Sequence, residues 1–143
     1  MARARNGKVE LEYETYGDGT QAVLLVSGLG SQMTRWPVEF CDRLAARGFR
    51  VIRFDNRDTG KSIWFQPGDS YSLADMAADG MAVLDAARVA KAHIVGVSMG
   101  GMIAQRIAIN HPERTSSLTS IMSASGAPGT LTATPEAAAV LVN

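Results

Sequence analysis

The segment Gly96-Val97-Ser98-Met99-Gly100 is the part of this sequence best suited to chemistry. An apolar, β-branched stretch, HIVGV, leads into it, and a helix-forming stretch, MGGMIAQRIAIN, leads out of it. A sharp turn between a strand and a helix would hold Ser98 in strained backbone geometry with its hydroxyl above the sheet. We therefore predict Ser98 as a nucleophile, with Gly96 and Gly100 allowing the helix to fold back against the strand. The alternative interpretation is an ordinary glycine-rich turn in a parallel sheet.

A serine nucleophile needs backbone N–H groups that stabilise the oxyanion formed during acyl transfer. Met99 would be the first residue of the helix, where N–H groups are free and the helix dipole is positive. Its N–H is the first predicted donor. The loop Ser27–Gly30, SGLG, follows another buried strand and would lie at the same edge of the sheet. The N–H of Leu29 is the predicted second donor; the alternative is a tight turn with no catalytic role, which would also explain the glycines.

No residue of the pattern can serve as the base that would activate Ser98. The chain has only two histidines, and we expect both to lie too far from Ser98. His111 lies beyond a helix that rises about 1.5 Å per residue, so we expect it roughly 18 Å from Ser98. His93 precedes Ser98 on the same strand and should lie roughly 16 Å away. A general base must come within about 3 Å of the proton it removes. We expect His93 to be a strand-entry residue and His111 a helix C-terminal residue.

The elements that would position these residues alternate between strand and helix. We predict strands and helices from apolar periodicity and from Gly and Pro positions. The strands are Val9–Tyr16, Gln21–Ser27, Phe49–Asp55, 92–98 and Ser116–Ala124, and the helices are Pro37–Arg47, 73–88 and Met99–Asn110. Ser72 and Asp75 form a capping box for the second helix. The turn at Gly17–Thr20 predicts a hairpin between the first two strands. The pattern predicts an α/β fold, a mostly parallel sheet with helices on both faces.

Composition excludes several classes of function. Lys plus Arg and Asp plus Glu both total 14, and this balance argues against a nucleic-acid or anionic-membrane surface. The single cysteine, Cys41, excludes an internal disulfide and a multi-cysteine metal site and is expected in the core. No apolar run reaches about 18 residues, and none follows the basic N-terminus. We expect a cytoplasmic protein of 143 residues with no metal, organic cofactor or membrane partner.

The stretch DNRDTGKS invites an interpretation as a phosphate-binding loop. That pattern requires glycine at position 55, where this chain has Asp55. The segment is followed by IWFQPGDS and not by a helix whose N-terminus could hold phosphate. We predict instead a structural loop in which Asp55, Arg57 and Asp58 pair with other groups or cap turns.

Three of these segments together, GVSMGG, SGLG and DNRDTGKS, resemble the α/β-hydrolase fold family in order and spacing, from about Val9 to Ser123. Within them, the stretch from WPVEF to DNRDTGKS resembles small bacterial esterases of the anthracycline methylesterase kind. The family often has His-Gly where this chain has Ser27-Gly28, a change that leaves the backbone donor in place. The resemblance implies a triad in the order Ser, acid, His, with the acid and histidine on later strands and after a cap segment.

Residues 1–124 are therefore predicted as the N-terminal part of a hydrolase core, and 125–143 as a connection and the start of a cap. Thr134 and Pro135 would begin a helix that runs through EAAAVLVN to the last residue. We expect a small-molecule ester as substrate, with the acid and histidine supplied by a C-terminal half as a second polypeptide. Two alternatives stay open: a lactonase, C–C hydrolase or perhydrolase on the same fold, and a non-catalytic truncated fragment.

Overall fold

The computed structural model describes residues 1–130 and 133–141. In these ranges the chain forms one sheet of six strands, together with α-helices and two short 3₁₀ helices, Met33–Arg35 and Pro112–Arg114. The strands are β1 (Ala2–Asn6), β2 (Val9–Tyr16), β3 (Gln21–Val26), β4 (Phe49–Phe54), β5 (Ala92–Val97) and β6 (Thr115–Ile121). The helices are α1 (Val38–Ala45), α2 (Leu73–Ala86), α3 (Met99–Asn110) and α4 (Pro135–Leu141).

The sheet has the order β1-β2-β4-β3-β5-β6. The strands β4, β3, β5 and β6 run parallel to one another, whereas β1 pairs antiparallel with β2 and β2 pairs antiparallel with β4. This topology confirms the predicted mostly parallel sheet. Because parallel strands end at one edge of a sheet, the loops that follow β3, β4, β5 and β6 lie next to one another.

The predicted hairpin between β2 and β3 is wrong. β2 pairs with β1 across the turn at Gly7, which has φ 58°, and its other neighbour is β4. The connection Gly17–Thr20 passes the start of β4 so closely that a side chain on Gly19 would collide with the Gly48 carbonyl group and lie 2.8 Å from the Phe49 carbonyl carbon. The chain therefore crosses over one strand position before it enters β3.

Both faces of the sheet carry helices, as predicted. Consecutive side chains of a strand point to opposite faces, so the central strand must be apolar throughout. Leu24 packs in the core formed with α2 and α3, whereas Leu25 packs in the core formed with α1, and neither side chain is exposed. Cys41 on α1 lies in the second core as expected, and burial raises the pKa of its thiol.

The helix ends largely follow the predicted signals. The Ser72 side chain accepts a hydrogen bond from the Asp75 N–H while the Asp75 carboxylate accepts one from the Ser72 N–H, so the predicted capping box is confirmed. Pro37 is the residue before the first turn of α1. At α4 the Thr134 hydroxyl accepts from the Ala137 N–H at 3.3 Å, but the predicted continuation through residues 142–143 lies outside the described residues. No helix within the described ranges is both long and apolar enough to cross a membrane.

Candidate functional site

Ser98 lies at the junction of β5 and α3, at the edge where the parallel strands end. Its backbone has φ 55° and ψ −124°, a conformation that L-residues other than glycine rarely adopt. The Ser98 N–H donates to the Ile121 carbonyl at 2.9 Å, and the Ser98 carbonyl accepts from the Gly101 N–H at 2.8 Å. Hydrogen bonds to β6 and within α3 therefore stabilise the strained turn. The Ser98 side chain is exposed to solvent.

Glycines allow the strand, the turn and the helix to pack closely. A Cβ on Gly96 would collide with the Gly100 carbonyl and lie 2.7 Å from the Gly101 nitrogen. A Cβ on Gly100 would lie 2.6 Å from the Ser27 carbonyl oxygen and nearer still to that of Val26. Gly101, which the sequence interpretation passed over, has no room either, because its Cβ would lie 2.5 Å from that of Ser123.

The loop after β3 packs against this turn. A Cβ on Gly28 would lie 3.1 Å from the Val97 carbonyl oxygen and 3.2 Å from the Ser98 Cβ. Within the part of the chain that the structure describes, neither the Leu29 N–H nor the Met99 N–H donates a hydrogen bond. The two predicted donors therefore have unused N–H groups, one on the residue that follows Ser98 and one on the loop that packs against the turn.

A cavity of about 330 Å³ opens beside the Ser98 side chain. Its walls come from the loop after β3, the end of β5 and the end of β6. The lining residues are Gly28, Leu29, Ser31, Arg35, Trp36, Val97, Ser98, Ile121 and Met122. Ser98 and Leu29 thus share one cavity, while Gly96 and Gly100 are buried beneath it. A larger hollow, about 470 Å³, lies beside Arg50 at the opposite end of the sheet and contains none of the predicted site residues.

Two residues that directly follow β4 hold both ends of the loop that carries Leu29. The Asn56 Nδ2 donates to the Ser27 carbonyl at 3.0 Å, and the Asp55 Oδ1 accepts from the Met33 N–H at 2.8 Å. The sequence interpretation missed Asn56, since no local pattern links it to a loop 29 residues earlier. The other oxygen of Asp55 accepts from the Lys61 N–H at 3.0 Å.

The structural interpretation of DNRDTGKS is confirmed. A Cβ on Gly60 would lie 2.9 Å from the Asp55 Oδ1 and nearer still to its Oδ2, so the Asp55 carboxylate packs directly against the Gly60 backbone inside this loop. Arg57 forms two hydrogen bonds with Asp79, at 2.7 and 2.8 Å, and both side chains are buried. Asp58 accepts from the Phe65 N–H at 2.6 Å and caps the turn.

A second ion pair, buried at Arg53 and part-buried at Glu14, supports the wall of the cavity. The Arg53 guanidinium contacts the Glu14 carboxylate at 2.5 Å and donates to the carbonyl of Trp36, which lines the cavity. The Tyr16 hydroxyl donates to the same carboxylate at 2.7 Å. This hydrogen bond, together with Arg53, lowers the pKa of Glu14, whereas burial and the bond to Glu14 raise the pKa of Tyr16 to about 12.

Neither histidine reaches Ser98. His93 lies near the start of β5, where its Nδ1 is 2.7 Å from the Ser117 Oγ and its Nε2 is 3.3 Å from the Gln21 Oε1. His111 ends α3 and its Nδ1 lies 3.9 Å from a Glu113 oxygen. Both occupy the places that the sequence predicted for them. Across the described ranges, His, Cys, Asp and Glu side chains do not converge in groups of three or more that could hold a metal ion.

A strained serine between a strand and a helix, on a mostly parallel sheet, is an arrangement typical of one class of proteins. The chain is a member of the family described as the alpha/beta hydrolase fold, whose model matches residues 21–142. This result confirms the family that the three segments resembled.

Individual relatives agree with that assignment. Over 114 residues the chain is 45% identical to the rhodomycin D methylesterase DauP of Streptomyces sp. (strain C5), a match that covers 78% of this chain and 38% of DauP. It also resembles the solved structure of Est816, an N-acyl homoserine lactone degrading enzyme, with TM-score 0.76, 30% identity and coverage of 99% of this chain and 52% of Est816. For the enol-lactonase from Burkholderia xenovorans LB400 the TM-score is 0.72 at 27% identity, covering 80% and 44%. The chain therefore spans between 38% and 52% of the length of these relatives.

Proposed function

We propose that this chain supplies the nucleophile and the oxyanion-binding amides of a carboxylic-ester hydrolase. The observation that carries the proposal is the exposed Ser98 at φ 55°, placed at the start of α3 and open to a cavity. A fixed, strained backbone at a solvent-open serine is typical of a nucleophile positioned by its fold. The similarity to a methylesterase supports an ester as the substrate.

In the proposed reaction the Ser98 Oγ attacks the ester carbonyl carbon while its proton passes to a base. The carbonyl π electrons move to the oxygen, and the resulting oxyanion accepts hydrogen bonds from the Leu29 and Met99 N–H groups. Collapse of this intermediate breaks the carbon–oxygen bond to the alcohol, which leaves with the proton returned by the base. Water then hydrolyses the acyl group from Ser98 by the same steps in reverse order.

We further propose that the acid and the histidine come from a C-terminal half of the hydrolase, present as a second polypeptide. Both histidines of this chain are held away from Ser98 by other partners. Within the described part of the chain β6 pairs with β5 alone, and the side chains of Ile121 and Met122 beside the cavity are 40% and 80% exposed. An edge strand that leaves its backbone groups unpaired on one side and exposes Leu118 and Ile121 favours pairing with a further strand.

A lactonase is the second candidate, supported by the likeness to Est816 and to the enol-lactonase. A lactone is a cyclic ester, so the same nucleophile and amides would open it, with the alcohol remaining attached to the acyl group. Competing hydrolysis of simple methyl esters and of lactones separates the two candidates. Preferential turnover of lactones would replace the esterase assignment. C–C bond hydrolysis and perhydrolysis belong in the same panel.

The test of the nucleophile is labelling with a fluorophosphonate, read by intact-mass spectrometry, with and without the proposed second polypeptide. We expect one adduct on the wild-type chain and none on Ser98→Ala. The matched control is Ser31→Ala, since Ser31 lines the same cavity from an ordinary loop position. Ester turnover should fall by about 10³-fold or more in Ser98→Ala.

Two results would contradict the proposal. Labelling or turnover that survives in Ser98→Ala would exclude this residue as the nucleophile. A folded wild-type chain that stays unlabelled even with a C-terminal half present would favour the third interpretation, a non-catalytic fragment.

A further inference from the structure

Among the described residues that line the cavity beside Ser98, Arg35 has the single charged side chain. This residue ends the 3₁₀ helix Met33–Arg35 and is exposed. Within the described residues Arg35 forms no ion pair, whereas Arg53, Arg57 and Arg114 each contact a carboxylate. An arginine without a carboxylate partner at the wall of a candidate substrate site is available to bind an anion.

The other residues that line the cavity leave this positive charge uncompensated. In the part of the chain that the structure describes, none of the lining residues is acidic. Asp55, the acidic group bound to the same loop, is 3% exposed, and both of its oxygens already accept hydrogen bonds from backbone N–H groups. The N-terminus of α3 at Ser98 adds the positive end of a helix dipole. The charged and dipolar groups at the cavity wall therefore favour an anion over a cation.

Most of the remaining lining is apolar. The apolar residues that line the cavity together with Ser98 are Leu29, Trp36, Val97, Ile121 and Met122. Pockets of this composition bind an apolar group and use a few polar groups to fix its orientation. A guanidinium fork matches the two oxygens of a carboxylate better than it matches any neutral group.

We propose that Arg35 is a specificity-determining residue that selects hydrophobic esters carrying a carboxylate on the same molecule. The apolar walls hold the hydrocarbon part and Arg35 binds the carboxylate, which leaves the ester carbonyl beside Ser98. The inference rests on the proposed function for the choice of an ester. Recognition of the carboxylate itself depends only on the cavity.

Binding of 4-phenylbutyrate and of its neutral isostere 4-phenylbutyramide to the whole chain tests this selectivity without turnover. The chain has two tryptophans, of which Trp36 lines the cavity and Trp64 does not. In ¹H–¹⁵N spectra the indole signal of Trp36 should move on titration, while that of Trp64 serves as the internal reference. We expect the carboxylate to bind about 10-fold more tightly than the amide, the effect of a hydrogen bond to a charged group.

Arg35→Gln should remove this preference, so that the two ligands bind within about 2-fold of each other, and Arg35→Lys should restore part of it. The matched control is Arg47→Gln, an exposed arginine outside the cavity, which should keep the 10-fold ratio. Equal binding of both ligands to the wild type would overturn the inference. So would a preference that survives in Arg35→Gln, or a Trp36 signal that neither ligand moves.

The outcome is independent of the labelling of Ser98. Labelling of Ser98 without carboxylate preference would remove Arg35 from substrate recognition and leave the hydrolase proposal intact. Carboxylate preference without labelling, even with the C-terminal half present, would establish the anion site and reject the hydrolase. If both hold, p-nitrophenyl hemiglutarate should be hydrolysed about 10-fold more efficiently than p-nitrophenyl valerate, and Arg35→Gln should equalise the two.

Discussion

Substitution of Gly100 by alanine tests whether close backbone packing defines the position of Ser98. The added Cβ would lie 2.6 Å from the Ser27 carbonyl oxygen and nearer still to that of Val26, whereas real Cβ atoms essentially never approach within 3.0 Å. Both obstacles are backbone atoms at the end of the central strand. No side-chain rotation can relieve them, so α3 or the loop after β3 must move.

The expected change in stability is the difference between two terms. Alanine in place of glycine inside a helix stabilises by about 1 kcal/mol. Overpacking in a well-packed interior destabilises by about 1–3 kcal/mol and occasionally more, and the upper end applies where only backbone can yield. We expect a net loss of about 2 kcal/mol in the free energy of unfolding. With a urea m-value of about 2 kcal/mol/M, the midpoint should fall by about 1 M.

Gly80→Ala is the matched control, since Gly80 also lies inside a helix and is also buried. Its Cβ would lie 3.0 Å from the Ile107 Cδ1, the end of a flexible side chain that can rotate away. The gain in helix propensity and the small repacking cost then nearly cancel, and stability should change by less than about 1 kcal/mol. Urea denaturation followed by circular dichroism measures both variants. A Gly100→Ala protein as stable as the wild type would refute the packing argument.

Two further predictions concern the ion pairs of Arg57 with Asp79 and of Arg53 with Glu14. Asp79→Asn leaves the buried Arg57 without its carboxylate and should lower the free energy of unfolding by about 3 kcal/mol. Glu39→Gln is the control, because it breaks an exposed pair and should lower that free energy by less than about 0.5 kcal/mol. Urea denaturation measures both variants. The hydrogen bond from Tyr16 lowers the pKa of Glu14 below its ordinary value of 4.5. The Glu14 carboxylate therefore contributes its full stabilisation at pH values above 4.5. This contribution is lost as the pH falls through the lowered pKa. Unfolding at pH 7 and pH 3 should show a smaller acid loss in Glu14→Gln than in the wild type; equal losses would reject this linkage.

The parts of the fold that the sequence predicted are those whose signals are local. The bounds of α3 follow from a glycine-flanked serine at one end and Pro112 beyond the other. The capping box of α2 depends on two residues three positions apart. The buried central strand is evident because both of its faces are covered, which requires a continuous apolar run.

The missed features depend on which segments become neighbours in space. The turn after β2 contains glycines, and glycines alone do not distinguish a hairpin from a crossover. The Gly7-Lys8 turn was the better hairpin signal, because glycine at the first position of a two-residue turn, here with φ 58°, is favoured between antiparallel strands. Asn56 carries no local signal, since its role depends on a carbonyl that the sheet order brings alongside.

The sheet order also decides from which side a base can approach Ser98. Gly28 and the loop after β3 occupy one side of the serine, and the first turn of α3 lies beneath it. The Ser98 N–H is bound by the Ile121 carbonyl, so the end of β6 forms the remaining wall. The open approach is over the exposed side chains of Ile121 and Met122. Under the proposed function, a strand added beside β6 would end at the same edge of the sheet, so the loops after it and after later strands would be placed to bring the acid and the histidine toward Ser98.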